Sequence, residues 1–103
     1  MELDQARYYP RVLQAMAGDG YEVYAYLSDG SVRLLNMREA VMKKPVFSPL
    51  KDYAVFTGAL TIMNETVAWD ISGTRDSSKC IDIDPFWVYS CPQVKDPLQE
   101  AKD

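Results

Sequence analysis

Histidine is missing from all 103 residues of the chain. Imidazole is the usual general base, proton shuttle and transition-metal ligand near neutral pH, so its absence excludes Ser-His-Asp and Cys-His chemistry and histidine-bearing zinc sites. Cysteine is scarce as well. Cys80 and Cys91 are too few for a closed all-thiolate zinc site, and in a reducing cytosol they read as two partly buried thiols. Positive charge is in deficit: 11 Lys and Arg stand against 15 Asp and Glu, for a net charge of −4. That is the wrong sign for a protein bound chiefly by neutralising phosphates. Long apolar runs are lacking too. The most apolar stretch, Tyr53 to Met63, is broken by Thr57, Gly58 and Thr61 and reaches about half the roughly 20 residues a membrane helix needs. Met1 to Arg11 is polar and mixed in charge, with no apolar leader core, so a cytoplasmic product with no membrane contact is expected. No internal repeat or low-complexity tract interrupts the chain.

Hydrophobic residues make up 48%, enough for one modest core and too many for disorder. The length implies a single domain over 1–103, with the core in 9–91 and a polar tail in 92–103. Two turn signals, Gly18-Asp19-Gly20 and Ser28-Asp29-Gly30-Ser31, divide the first third into a three-stranded meander. A two-residue turn at Asp29-Gly30 would set Leu27 opposite Val32 and Ala25 opposite Leu34. Tyr21, Val23, Ala25, Leu27, Val32 and Leu34 would then share the core face, with Glu22, Tyr24, Tyr26, Arg33 and Leu35 on the other. Tyr26 would face Arg33 within reach of a cation–π contact. The first turn can hold two or three residues, which leaves open the inward side of Val12 to Met16.

Asn36 and Glu39 have capping-box spacing before Ala40, Val41 and Met42, and Pro45 limits that helix to Lys44. Ser48 followed by Pro49 predicts a second helix start, with Leu50, Tyr53 and Ala54 on one side and Gly58 at its end. Leu60–Met63 and Thr66–Asp70 form a second hairpin about Asn64-Glu65, with Trp69 as a core anchor. After a polar loop over Ser72–Lys79, Ile81 and Ile83 alternate with Asp82 and Asp84 as a short strand. Asp84-Pro85 opens a helix carrying Phe86, Trp87 and Tyr89, and Asp96-Pro97 can start one further turn. The expected fold is α+β: an antiparallel sheet of about five to six strands, with two or three short helices packed on one face.

Three groups of residues are candidates for function. Asp70, Asp82 and Asp84 are oxygen donors of the kind Mg²⁺ or Ca²⁺ takes, although Asp84 as a helix cap and Asp82 in solvent explain both without a metal. Residues 33–51 hold Arg33, Arg38, Lys43, Lys44 and Lys51 against one acid, Glu39. That segment can meet an acidic partner or a nucleic-acid backbone. Tyr24 and Tyr26, beside Arg33 on the far sheet face, have the composition of a protein interface; the competing reading is a face covered by the chain's own terminal segments.

The order of Tyr9-Pro10-Arg11-Val12, Ser28-Asp29-Gly30 with Val32 and Leu34, Val46-Phe47-Ser48-Pro49-Leu50-Lys51-Asp52 with Phe56, Val67-Ala68-Trp69, and Ile81-Asp82-Ile83-Asp84-Pro85 with Tyr89 resembles the bacterial domain of unknown function 2442 family. The resemblance covers residues 9–89. It implies a small α+β domain with no assigned activity, sometimes joined to a helix-turn-helix and sometimes encoded beside a second small protein in a toxin–antitoxin-like arrangement. The chain departs from that pattern in a longer polar insert, Ser72-Gly73-Thr74-Arg75-Asp76-Ser77-Ser78, and in stopping short of a helix-turn-helix. The sequence thus leads to a non-catalytic interaction module without a cofactor, either a homodimer or the antitoxin-like partner of a neighbouring small protein. Its interaction residues would be Tyr24, Tyr26, Arg33, Arg38, Lys43 and Lys44. A nucleic-acid-associated transcriptional regulator and a carboxylate metal-dependent enzyme are the alternatives.

Overall fold

The turn residues decide how the first three strands meet. The computed structural model describes residues 10–100; Tyr9 and the polar N-terminal stretch before it lie outside the described residues. Strands β1 (Val12–Ala17), β2 (Glu22–Leu27) and β3 (Val32–Asn36) form the expected antiparallel meander. Between β1 and β2, Gly18 N–H donates to Glu22 C=O at 2.8 Å and encloses a three-residue turn, Asp19-Gly20-Tyr21, in which Gly20 has φ +57°. Ala15 and Ala17 thereby sit opposite the buried Ala25 and Val23.

The second turn corrects the expected register. It also holds three residues, Ser28-Asp29-Gly30, with Leu27 N–H donating to Ser31 C=O at 2.9 Å and Gly30 N–H to Leu27 C=O at 3.0 Å. Gly30 takes the left-handed position at φ +89°. The Ser31 amide and hydroxyl both donate to the Asp29 carboxylate, at 2.9 and 2.6 Å, and hold that carboxyl below its usual range. One extra loop residue moves every β3 side chain to the opposite face. Ala25 therefore pairs with Arg33 and Val23 with Leu35, while Tyr24 pairs with Leu34 and Tyr26 with Val32. Leu35 and Arg33 take the core side that Leu34 and Val32 were expected to occupy.

Helix α1 (Arg38–Lys43) ends before Pro45 as expected. Its N-cap residue is Met37 and makes no side-chain cap bond; the Asn36 carboxamide accepts from Arg38 N–H at 3.1 Å instead, one residue earlier than a capping box requires. The next segment also differs from expectation. Pro45–Lys51 forms a continuous 3₁₀ turn with Pro49 inside it, so Ser48 caps nothing. Asp52 is the cap of α2 (Tyr53–Gly58), its carboxylate accepting from Ala54 N–H at 3.0 Å. Gly58 is the last helical residue, and the following Ala59 has φ −93°, so no left-handed glycine ends this helix.

Strands β4 (Leu60–Met63) and β5 (Thr66–Trp69) close the second hairpin on Asn64-Glu65, with φ +55° and +63°. Strand β6 (Ile81–Asp82) pairs with β5, and Asp84 caps α3 (Pro85–Ser90) through Phe86 N–H at 2.9 Å. The tail expected after Pro92 is structured. Strand β7 (Gln93–Val94) pairs with β3, and α4 (Pro97–Glu100) follows. Among the described residues seven strands therefore make two antiparallel sheets, ordered β1-β2-β3-β7 and β4-β5-β6, in an α+β fold.

The core lies between the sheets and helices. Trp69 and Phe56 are fully buried with rings 5.5 Å apart, and the Trp69 indole N–H donates to Phe56 C=O at 2.9 Å. Phe47 meets the Trp69 edge, and Tyr21 packs edge-on against Phe56 at 5.0 Å. Tyr21 also donates its hydroxyl to Lys51 C=O at 2.7 Å, tying the meander to the 3₁₀ turn.

A non-glycine residue in the left-handed region costs about 1–2 kcal/mol. Glu65→Gly is therefore expected to stabilise the chain by roughly 1 kcal/mol, since the exposed Arg11–Glu65 ion pair that it removes contributes little. A rise of a few degrees in Tm by circular dichroism would bear this out.

Candidate interaction surfaces

Tyr24 and Tyr26 alternate with Val23, Ala25 and Leu27 along β2, which places both rings on the face away from the core, as the sequence predicts. Both are half-buried. Tyr24 lies so close to Gly18 that a Cβ there would stand 2.8 Å from its ring. The Tyr26 hydroxyl donates to the Asp96 carboxylate at 2.9 Å, and the same carboxylate oxygen accepts from Leu98 N–H at 2.9 Å, starting α4. Leu34 N–H donates to Pro92 C=O at 3.0 Å, and Val32 pairs with Val94. The chain's own C-terminal segment thus covers part of the tyrosine face. Burial, then the hydrogen bond and the negative charge of Asp96, push the Tyr26 phenol up to about 12.

Arg33 is removed from the surface set. Its guanidinium donates from one nitrogen to the carbonyls of Tyr89 and Cys91, both at 3.1 Å, and lies 4.8 Å from the centre of the Tyr89 ring. These contacts satisfy carbonyls at the end of α3, where a cation is also favoured by the helix dipole. The cation–π partner is Tyr89 in place of the expected Tyr26, a direct result of the register change. Arg33 Nε is buried without a hydrogen-bond partner, so its position is set by the two carbonyls and the ring.

The remaining basic residues stay outside. Arg38 lies 5.7 Å from the centre of the Tyr21 ring, and Lys43 pairs with Glu39 at 3.6 Å across one helical turn, with both groups exposed. Lys44 is exposed. Beside them α1 and α3 border a groove of about 360 Å³, lined by Asn36, Glu39, Ala40, Lys43, Lys44 and Trp87. Trp87 was expected only as a helix residue, and nothing in its spacing marks this position. Met42 and Val46 are 46% and 62% exposed, so the run Met42-Lys43-Lys44-Pro45-Val46 stands in solvent throughout, with an apolar side chain at each end.

The carboxylates serve separate local tasks. Asp70 accepts from Gly73 N–H at 3.2 Å and Arg75 N–H at 2.9 Å, Asp82 from the Asn64 carboxamide at 3.4 Å, and Asp84 from the start of α3. Among the described residues no three acidic or thiol side chains gather as a metal site. Cys80 and Cys91 form no disulfide. Partial burial, then Asp82, Asp70 and Asp76, raises the Cys80 thiol; burial raises Cys91, whose Sγ donates to Trp87 C=O at 3.2 Å. No helix among the described residues is long and apolar enough to cross a membrane. Compared with family models, curated proteins and solved structures, the chain finds no match, so its function is read from these side chains.

Two measurements follow from this geometry. Above its ordinary value of 10.0 the Tyr26 phenol ionises in the unfolded chain while the folded chain keeps the proton up to about 12. Its contribution is complete below pH 10 and is lost as pH rises towards 12, and Tyr26→Phe is expected to flatten that part of a urea-midpoint profile. Arg33→Ala breaks two charged hydrogen bonds and is expected to cost about 2–3 kcal/mol in urea unfolding. Arg38→Ala, at the surface, is expected to cost less than about 1 kcal/mol.

Proposed function

We propose that the chain is a non-catalytic protein-interaction module, the antitoxin-like partner of a neighbouring small protein, and that it docks through the α1 ridge. The observation that carries this reading is the exposed run Met42–Val46, in which two apolar side chains flank, along the chain, Lys43 and Lys44, the two lysines that line the groove with Trp87. Large apolar groups in solvent have the make-up of an interface core, and lysines beside them select an acidic partner. The resemblance to the domain of unknown function 2442 family supports the same reading. So does the structural employment of Asp70, Asp84 and Arg33, each engaged in holding a turn or helix end.

The same lysines are the basis of a nucleic-acid reading, and salt separates the two. Binding of the neighbouring protein through apolar contacts is expected to persist at about 0.5 M salt, where phosphate contacts are largely lost. Co-expression with the adjacent small protein, followed by light scattering, is expected to give a complex, and Met42→Glu with Val46→Glu to dissolve it while Tm stays within a few degrees. A strict monomer that leaves its neighbour behind would overturn the proposal.

A further inference from the structure

The segment that follows α3 is held far more lightly than the sheet it crosses. Arg33 fixes its path as far as Cys91, whose carbonyl accepts from the guanidinium at 3.1 Å, and Cys91 N–H donates to Val88 C=O at 3.1 Å. Beyond that point the contacts thin out. Strand β7 pairs with β3 through Gln93 and Val94, and Pro92 C=O accepts from Leu34 N–H at 3.0 Å. Pro92 and Pro97 have no N–H to give to a ladder. No residue from Pro92 to Leu98 is buried, and Leu98 is 48% exposed. The apolar burial that makes a core costly to open is absent from this stretch.

A side-chain bond closes the segment onto the sheet. The Tyr26 hydroxyl donates to Asp96 Oδ1 at 2.9 Å, and Leu98 N–H donates to the same oxygen at 2.9 Å, so the atom that docks the segment also starts α4. Beside this bond lie the cross-strand pairs Tyr26–Val32 and Tyr24–Leu34, on the side of the sheet away from the core. Val32 is 6% exposed, and its cross-strand neighbour on the other side is Val94. The ring contacts around Phe56 and Trp69 involve Tyr21, Phe47 and Tyr53 and no residue beyond Pro92. Lifting the segment therefore leaves the aromatic core intact.

We infer that Gln93–Glu100 is a strap latched by Tyr26 and Asp96, which swings off the first sheet about Pro92 while the rest of the chain stays folded, and so switches the outer sheet face between covered and open states. The short ladder and small apolar area place the open state well below global unfolding in free energy. Opening bares Val32, Tyr26 and the edge of β3, and joins the Tyr24–Leu34 and Tyr26–Val32 pairs into one apolar face. The inference uses nothing of the Met42–Val46 run, so its fate and that of the docking proposal are separate.

Native-state hydrogen exchange on the ¹⁵N-labelled full chain tests it. Leu34 N–H is bonded to Pro92 C=O and Leu98 N–H to Asp96, whereas Met37 N–H donates to Tyr21 C=O and Ile83 N–H to Val67 C=O in the body of the fold. After correction for intrinsic rates, Leu34 and Leu98 are expected to exchange at least about tenfold faster than Met37 and Ile83, through an opening that depends little on urea. Tyr26→Phe keeps the ring and removes the donor, and is expected to speed Leu34 and Leu98 by about a further tenfold. Val67→Ala leaves a cavity in the second sheet, and is expected to speed Ile83 while Leu34 and Leu98 keep their rates. Equal protection of the four amides, or a Val67→Ala effect shared by all four, would mean that the segment leaves only on global unfolding and would overturn the inference. Unchanged exchange of Leu34 and Leu98 in Tyr26→Phe would remove the latch and overturn it too.

Discussion

The buried bond from the Trp69 indole to the Phe56 carbonyl is the constraint on which the rest of the structure depends. Phe56 belongs to α2 and Trp69 to the last position of β5, so one hydrogen bond fixes the second sheet against the helix layer. An indole N–H in an apolar core carries a desolvation cost of about 1–3 kcal/mol unless it is met, and here only the carbonyl of one buried helix residue meets it. Rings stack outward from that point: Phe47 on Trp69, Tyr21 and Tyr53 on Phe56. With Tyr21 bonded to Lys51 C=O, the meander, the 3₁₀ turn and the second hairpin become one body. The two sheets stay distinct, linked by the backbone bond from Val12 N–H to Glu65 C=O, and the aromatic cluster adds the side-chain part of the joint.

Element types were legible from sequence because local chemistry dictates them. Asp84-Pro85, Asn64-Glu65 and the Val-Tyr-Leu alternation of β2 each act within a few residues, and each produced its expected element. The face of β3 was not legible, because Asp-Gly suits either a two-residue turn or the last two places of a three-residue one. The choice rests with Ser31, which binds Asp29 through both amide and hydroxyl and extends the loop. Asp52 prevailed over Ser48 as the α2 cap for a related reason: Pro49 fits within the 3₁₀ turn, so the helix begins only after it.

The surface residues show the same division. Lys43 and Lys44 are exposed as the charge run implied, while the position of Arg33 depended on the register and reversed with it. Tyr24 and Tyr26 were correctly placed away from the core, and the second of the two readings of that face, partial cover by the chain's own terminus, is the one that the structure shows. No sequence signal for β7 existed: two residues with one valine have no periodicity to read. Arg75 likewise sits in a stretch that looks only polar, and its backbone strain is visible only once Asp70 is seen to hold the loop.

The pairing of Tyr26 with Asp96 spans 70 positions of chain. A contact so distant in sequence must wait for Asp96 to leave the ribosome, whereas the meander beneath it can pair as soon as β3 emerges. During that interval the aromatic side of the first sheet stands bare in the growing chain. The order of synthesis therefore gives the molecule a period in which its tyrosines are open to the cell before the segment around Asp96 closes over them.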